Sequence, residues 1–163
     1  MFAIREKFLY ILTMQEFQQW LKTLSQELNL NEDLVLDEKN QCFLMFDDTM
    51  LVEIEYNDKD QQFLFKGSLG NIEDWQTKQI YQRLLEANML WKETQGALFG
   101  LQQYSDKVVL IQHTPVANCD YKNFESCLET FVNTFEYWLK HLAEMQAQHP
   151  KKSSSKASKK DLA

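Results

Sequence analysis

Two periods of apolar residues alternate along the chain and set out its elements. Phe17, Leu21, Leu24 and Leu28 step by four, three and four, with Trp20 alongside. That spacing lines one face of a helix and predicts a first helix over about Met14 to Leu28. Thr13-Met-Gln-Glu16 stands in front of it in the form of a capping box. The polar run Asn29 to Asp33 ends the helix. The short apolar Leu34-Val-Leu36 then leads to a turn at Asp37-Glu-Lys-Asn40, where Asp and Asn side chains bond the local backbone. Beyond it the period changes to two. Gln41–Phe46, Met50–Tyr56 and Gln61–Leu69 read as strands, joined by Asp47-Asp48-Thr49 and Asn57-Asp-Lys-Asp60. Connections this short predict an antiparallel meander.

A second helix is predicted over roughly Ile72 to Leu90. Asn71 caps it, and Glu73 and Asp74 lie near the positive end of its dipole. Ala97–Tyr104 and Lys107–Thr114 form a hairpin around Ser105-Asp106, and Pro115 ends its second strand. From about Asn123 to Gln146, the residues Phe124, Leu128, Phe131, Phe135, Trp138 and Leu142 keep steps of four and three. They predict a long last helix. The fold class is α+β: helix, three-stranded antiparallel meander, helix, β-hairpin, helix. Residues 1–13 form an N-terminal extension, 14–146 the folded domain, and 147–163 a Lys/Ser-rich tail whose composition predicts disorder.

Two stretches carry more apolar surface than one small core absorbs. In the second helix Ile80, Leu84, Ala87 and Trp91 make one line, and Tyr81, Leu85 and Met89 make another. A surface helix normally carries one apolar stripe, so the second line needs a second partner. Val108-Val-Leu-Ile111 is apolar without alternation, as in a strand covered on both faces. In the meander Met50, Val52, Ile54 and Tyr56 share a face. The first strand is ambiguous, with Cys42, Leu44 and Phe46 on one side and Phe43 and Met45 on the other. If the former set is inward, the outer face collects Phe43, Met45, Leu51 and Leu64 among Glu53, Glu55 and Lys66. A free sheet face seldom shows that much apolar surface.

With 163 residues, 44% of them hydrophobic and 13% aromatic, the chain is long and apolar enough for one domain with a core. Four glycines and two prolines argue against a loop-rich scaffold. Net charge is −7, and the five lysines and one aspartate after Pro150 sum to +4, so residues 1–150 carry −11. An acidic body repels nucleic acid and anionic membrane and suits a basic or neutral polypeptide. Cys42, Cys119 and Cys127 make no C-x-x-C pair and read as reduced thiols of a cytosolic protein. No apolar run is long enough to span a membrane. The opening MFAIREKFLYILTM has the charge-then-apolar order of a secretory signal but no small-x-small cleavage site. Export is not expected. The stretch is a helical extension, or it lies upstream of a start at Met14.

Chemistry is sparse. His113, His141 and His149 have no metal-ligand spacing with one another or with a cysteine, and no metal or other cofactor is expected. No phosphate-binding loop, dinucleotide fingerprint or nucleophile elbow occurs. Asp47/Asp48 and Asp58/Asp60 fall in turns, where solvated carboxylates are the ordinary case; Glu53 and Glu55, on one strand face beside Lys66, either rim a binding surface or form the wet side of the sheet. No nucleophile, base and orienting group can be assembled, so no catalytic residue is assigned. The lysine tail has no aromatic residue to stack on a base.

The order of elements, together with particular residues, resembles the class I type III secretion chaperones, the CesT-like family. The residues are Leu36-Asp37-Glu38, Cys42-x-Leu44-x-Phe46-Asp47-Asp48 and Val52-x-Ile54-x-Tyr56. They continue with Leu69-Gly70, Leu84-Leu85-x-Ala87-Asn88, Gly96-Ala97, and Phe131-Val132-Asn133 with Trp138. The similarity covers roughly Gln15 to Leu142. The N-terminal extension and the lysine tail depart from the pattern.

This resemblance implies a small α+β homodimer without enzymatic activity. In the bacterial cytosol it would bind the N-terminal region of one or a few effectors. It would keep them soluble and competent for the secretion apparatus and its ATPase. Tyr81, Leu85 and Met89, with Val109 and Ile111, are the expected dimer interface. Phe43, Met45, Leu51, Glu53 and Leu64 are the expected effector-binding surface. The alternative is a non-secretion adaptor or sensory domain on the same dimeric scaffold.

Overall fold

A computed structural model describes residues 12–72, 77–105, 107–117 and 119–147. Helix α1 spans Met14–Glu27. Thr13 caps it as expected: its hydroxyl accepts from the Glu16 N–H at 3.2 Å, and the Glu16 carboxylate accepts from the Thr13 N–H at 2.9 Å. Phe17, Leu21 and Leu24 are buried, whereas Leu28 is 42% exposed. The helix has ended by then, and Asn29 turns the chain with a φ of 52°. Ser25 takes the inward place instead. Its hydroxyl donates to the Leu21 carbonyl and accepts from the Leu34 N–H, so its burial leaves nothing unpaired. Gln18 ties the following segment to α1, donating to the Leu34 carbonyl and accepting from the Leu36 N–H.

Strands β1 (Gln41–Phe46), β2 (Met50–Asn57) and β3 (Gln62–Asn71) form the meander. After α2 (Thr77–Met89), strands β4 (Leu98–Leu101) and β5 (Lys107–Pro115) make the hairpin. The five strands lie in the order β1-β2-β3-β5-β4, all neighbours antiparallel. Helix α3 runs from Tyr121 to Ala147.

The inner face of the sheet carries Cys42, Leu44, Val52, Ile54, Tyr56, Phe63 and Phe65, all buried. Phe17 of α1 and Phe124 of α3 meet it, with ring centroids 4.9 Å from Tyr56 and 5.3 Å from Phe63 respectively. All six residues of the α3 stripe are buried as expected. This helix runs so close to the sheet that a Cβ on Gly67 would stand 2.7 Å from the Phe135 ring.

Three sequence expectations change. Asn71 does not cap α2: it belongs to β3, which continues past a bulge at Ser68/Gly70 to pair with Lys107. Ile72 likewise precedes the helix; Glu73 and Asp74 lie outside the described residues. Trp91 does not extend the buried line of α2, because the helix stops at Met89 and Trp91 is 63% exposed. Strand β4 is shorter than expected, and Tyr104 stands in the turn. The extension before Leu12, Asp106 of the hairpin turn, His149 and the lysine tail also lie outside the described residues.

Asn88 finishes the β4 side of the sheet. Its side-chain oxygen accepts from the Phe99 N–H at 2.7 Å and its amide donates to the Phe99 carbonyl at 3.2 Å. A helix side chain thus stands where a sixth strand would bond. Arg83 of α2 pairs with Glu93 and lies over the Trp138 ring, while the Trp138 indole donates to the Glu93 carbonyl. These contacts fix the α2–β4 connection against α3.

Two stability predictions follow from this packing. Gly67→Ala overfills the contact with Phe135 and should lower stability by about 1–3 kcal/mol, read from urea denaturation; an unchanged midpoint would show that α3 yields there. Burial, helped by the charge of Asp37, pushes the Cys42 thiol from its ordinary 9.0 up to about 12. Burial, with Cys127 and Asp120, pushes Cys119 up to about 11. Both folded values lie above the unfolded one. The associated stability is therefore complete below pH 9.0 and lost as pH rises toward these values. Unfolding midpoints should fall more steeply above that pH in the native chain than in a Cys42→Ala/Cys119→Ala variant.

Candidate functional site

Helices α1 and α3 cover one face of the meander, and strand alternation leaves the other residues outside. Phe43 and Met45 are each 50% exposed and Leu51 47% exposed, while Leu64 is half-buried. The pairing register brings them together. Met45 faces Leu51, Phe43 faces Glu53, and Glu55 faces Leu64. One row crosses all five strands: Phe43, Glu53, Lys66, Ile111 and Leu98. Within it Lys66 bonds Glu53 at 2.6 Å, so the one carboxylate assigned to the expected effector surface has an internal partner. Glu55 accepts from the Gln41 amide at 3.0 Å. The polar groups of this face are thus largely satisfied within it, and the apolar ones are left open.

The second surplus surface lies at the β4 end. Ile80, Leu84 and Ala87 of α2 are buried, Tyr81 is half-buried, and Leu85 and Met89 are 67% and 75% exposed. A groove of about 240 Å³ opens between α2 and β4, floored by Leu84, Phe99 and Val108 and rimmed by Leu85 and Leu101. The strand residues expected beside it divide. Ile111 is half-buried, but Val109 is only 3% exposed. Val109 faces Gly100 across the β4–β5 pair and offers almost no surface to a partner. Leu98 and Leu101, each 53% exposed, were not singled out by sequence. Their spacing of three fits neither face of an alternating strand, and only the α2 groove gives Leu101 its setting.

Sequence reading also missed a groove of about 320 Å³ between α1 and α3, where Phe46 meets Leu28 and Val132. The α1 spacing puts Leu28 on the buried stripe, and alternation leaves the two faces of β1 open to either assignment, so neither residue suggests a surface in sequence. Among the described residues no group of three or more His, Cys, Asp or Glu could hold a metal ion. No described helix is long and apolar enough to cross a membrane.

Three solved structures share this fold. The ExsC–ExsE complex contains a chain with a TM-score of 0.68 and 21% identity, covering 78% of this chain and 94% of that one. The HopA1–SchA chaperone–effector complex gives 0.63 and 20%, covering 78% and 93%. YbjN, a putative transcription regulator from E. coli, gives 0.58 and 16%, covering 86% and 96%. At such identities these likenesses establish the fold alone. The sequence itself goes further, because residues 19–139 match the family model of the Tir chaperone protein (CesT) family. The chain belongs to that family, and so to the class I chaperones of type III secretion.

Proposed function

We propose that this chaperone acts as a cytosolic homodimer that binds the N-terminal region of one or more secreted effectors, keeping them soluble and ready for the secretion apparatus and its ATPase. The observation that carries the reading is the outer sheet face, where Phe43, Met45 and Leu51 stand open around the Glu53–Lys66 pair. Fully burying an apolar side chain of the docked segment against them contributes roughly 1.5–3 kcal/mol. Ordering a disordered segment costs on the order of 2–5 kcal/mol or more, so three or four docked residues offset it. The HopA1–SchA structure, a chaperone–effector complex, supports the same use of the fold. Holding a polypeptide in this way requires no catalysis.

The homodimer is assigned to Tyr81, Leu85 and Met89, with Leu101 in the same groove and Ile111 and Leu98 paired on the opposite face of the hairpin. Val109 is left out because the chain already covers it. A regulatory adaptor is the second reading, favoured by the likeness to YbjN. An effector N-terminus recovered with the protein from its native cell decides for the chaperone, and a non-secreted partner decides for the adaptor.

Leu51→Asp or Leu64→Asp should leave the fold intact and weaken effector binding about ten-fold or more, equivalent to roughly 1.4 kcal/mol. Titration calorimetry with the effector N-terminal region reads this, and native affinity in the folded variant removes the sheet face from the site. Leu85→Arg should convert dimer to monomer by light scattering. A folded dimer of unchanged mass would place the interface elsewhere.

A further inference from the structure

The apolar surface of the sheet continues around its β1 edge. Met45 and Phe46 are consecutive and point to opposite faces. Met45 lies in the outer patch opposite Leu51, whereas Phe46 opens into the groove between α1 and α3. The groove has an apolar floor of Leu24, Leu28, Leu128 and Val132. Its rim is Glu125 and Glu129, both exposed and one helical turn apart. None of the residues lining it is basic. Directly after Phe46 come Asp47 and Asp48, both exposed and both at positive φ. Beside the groove the Tyr121 hydroxyl bonds the Glu27 carboxylate, tying the start of α3 to the end of α1. An apolar path therefore runs from Phe43 and Leu51 to Val132, and unpaired carboxylates border its second half.

We infer that one partner segment follows this path, crossing the β1 edge at the Asp47-Asp48 turn and continuing into the α1–α3 groove. The inference rests on the proposed effector-binding role of the sheet face, and it adds the chemistry of the occupant. The occupant is a polypeptide in which apolar residues alternate with lysine or arginine. Burial of the apolar residues supplies affinity. The sign of the charge supplies selection, because an acidic segment would bring like charges together along the second half of the path. On the outer sheet face Glu53 is neutralised by Lys66, while Glu55, bonded by the neutral Gln41 amide, keeps its charge, so most of the charge preference resides in the turn and the groove.

The test uses the full chain and two fluorescent synthetic peptides of about 20 residues, roughly 65 Å when extended. They share the same Leu and Ile positions and carry Lys in one and Glu in the other between them. The Lys peptide should bind about ten-fold tighter or better. Glu125→Lys/Glu129→Lys should erase most of that preference, and Leu28→Gln should weaken binding without changing the preference. Glu32→Lys/Glu38→Lys makes the same charge change in the exposed segment before β1 and should leave the preference in place. Equal binding of both peptides, no binding of either, or equal loss in the control variant overturns the inference. Binding that is lost in Leu51→Asp but indifferent to the Glu125/Glu129 and Leu28 changes overturns the groove and leaves the sheet-face reading standing. Binding that is indifferent to Leu51→Asp counts against the sheet face itself.

Discussion

The packing of α3 along the inner face of the sheet is the interaction on which the rest depends. Phe124, Phe131, Phe135 and Trp138 fill that face, and Gly67 lets the helix approach closely enough for them to seat. Once α3 and α1 occupy one side, strand geometry dictates the other: every second residue of β1 and β2 must face outward. The exposed Phe43, Met45 and Leu51 are therefore products of a register that the core enforces. Slipping β2 by one residue to hide Leu51 would turn Val52 and Ile54 out to solvent. The exposed surface is held in place by the buried one.

Much of this was legible from spacing alone. The α3 stripe and the α1 capping box depend on local rules, and the short turns allow few ways to connect β1, β2 and β3. The outer patch was legible too, since alternation assigns faces once one strand is placed. What escaped involved residues whose setting is tertiary. Asn71 has the chemistry of a helix cap, but a bulge at Ser68/Gly70 lets β3 continue and claim it for the ladder. Leu28 continues the α1 period in sequence but sits one residue beyond the helix. Val109 looked like interface and is covered within the chain. The Asn88–Phe99 pair has no short-range signature, because it joins a helix to a strand across a connection whose path the sequence does not specify.

Charge and apolar surface are arranged for separate purposes. Apolar patches on an isolated chain promote self-association, and an excess of −11 over residues 1–150 opposes it by repulsion between copies. The same charge lowers the barrier to a basic partner. A chain that must stay dispersed while holding sticky segments benefits from both effects.

The Asn88 side chain limits how far the sheet can grow. It occupies the outward N–H and C=O of Phe99, and on this four-residue strand alternation leaves those of Leu101 facing out. At the other side Asp37 occupies the outward groups of Gln41, and antiparallel alternation leaves those of Phe43 and Met45 facing out. A sheet with two open edges can add copies end to end without limit, as fibres do. A sheet with one open edge can be extended once and then terminates. By tying Phe99, one amide makes the two edges unequal, and the longer stretch left open to a strand lies along β1.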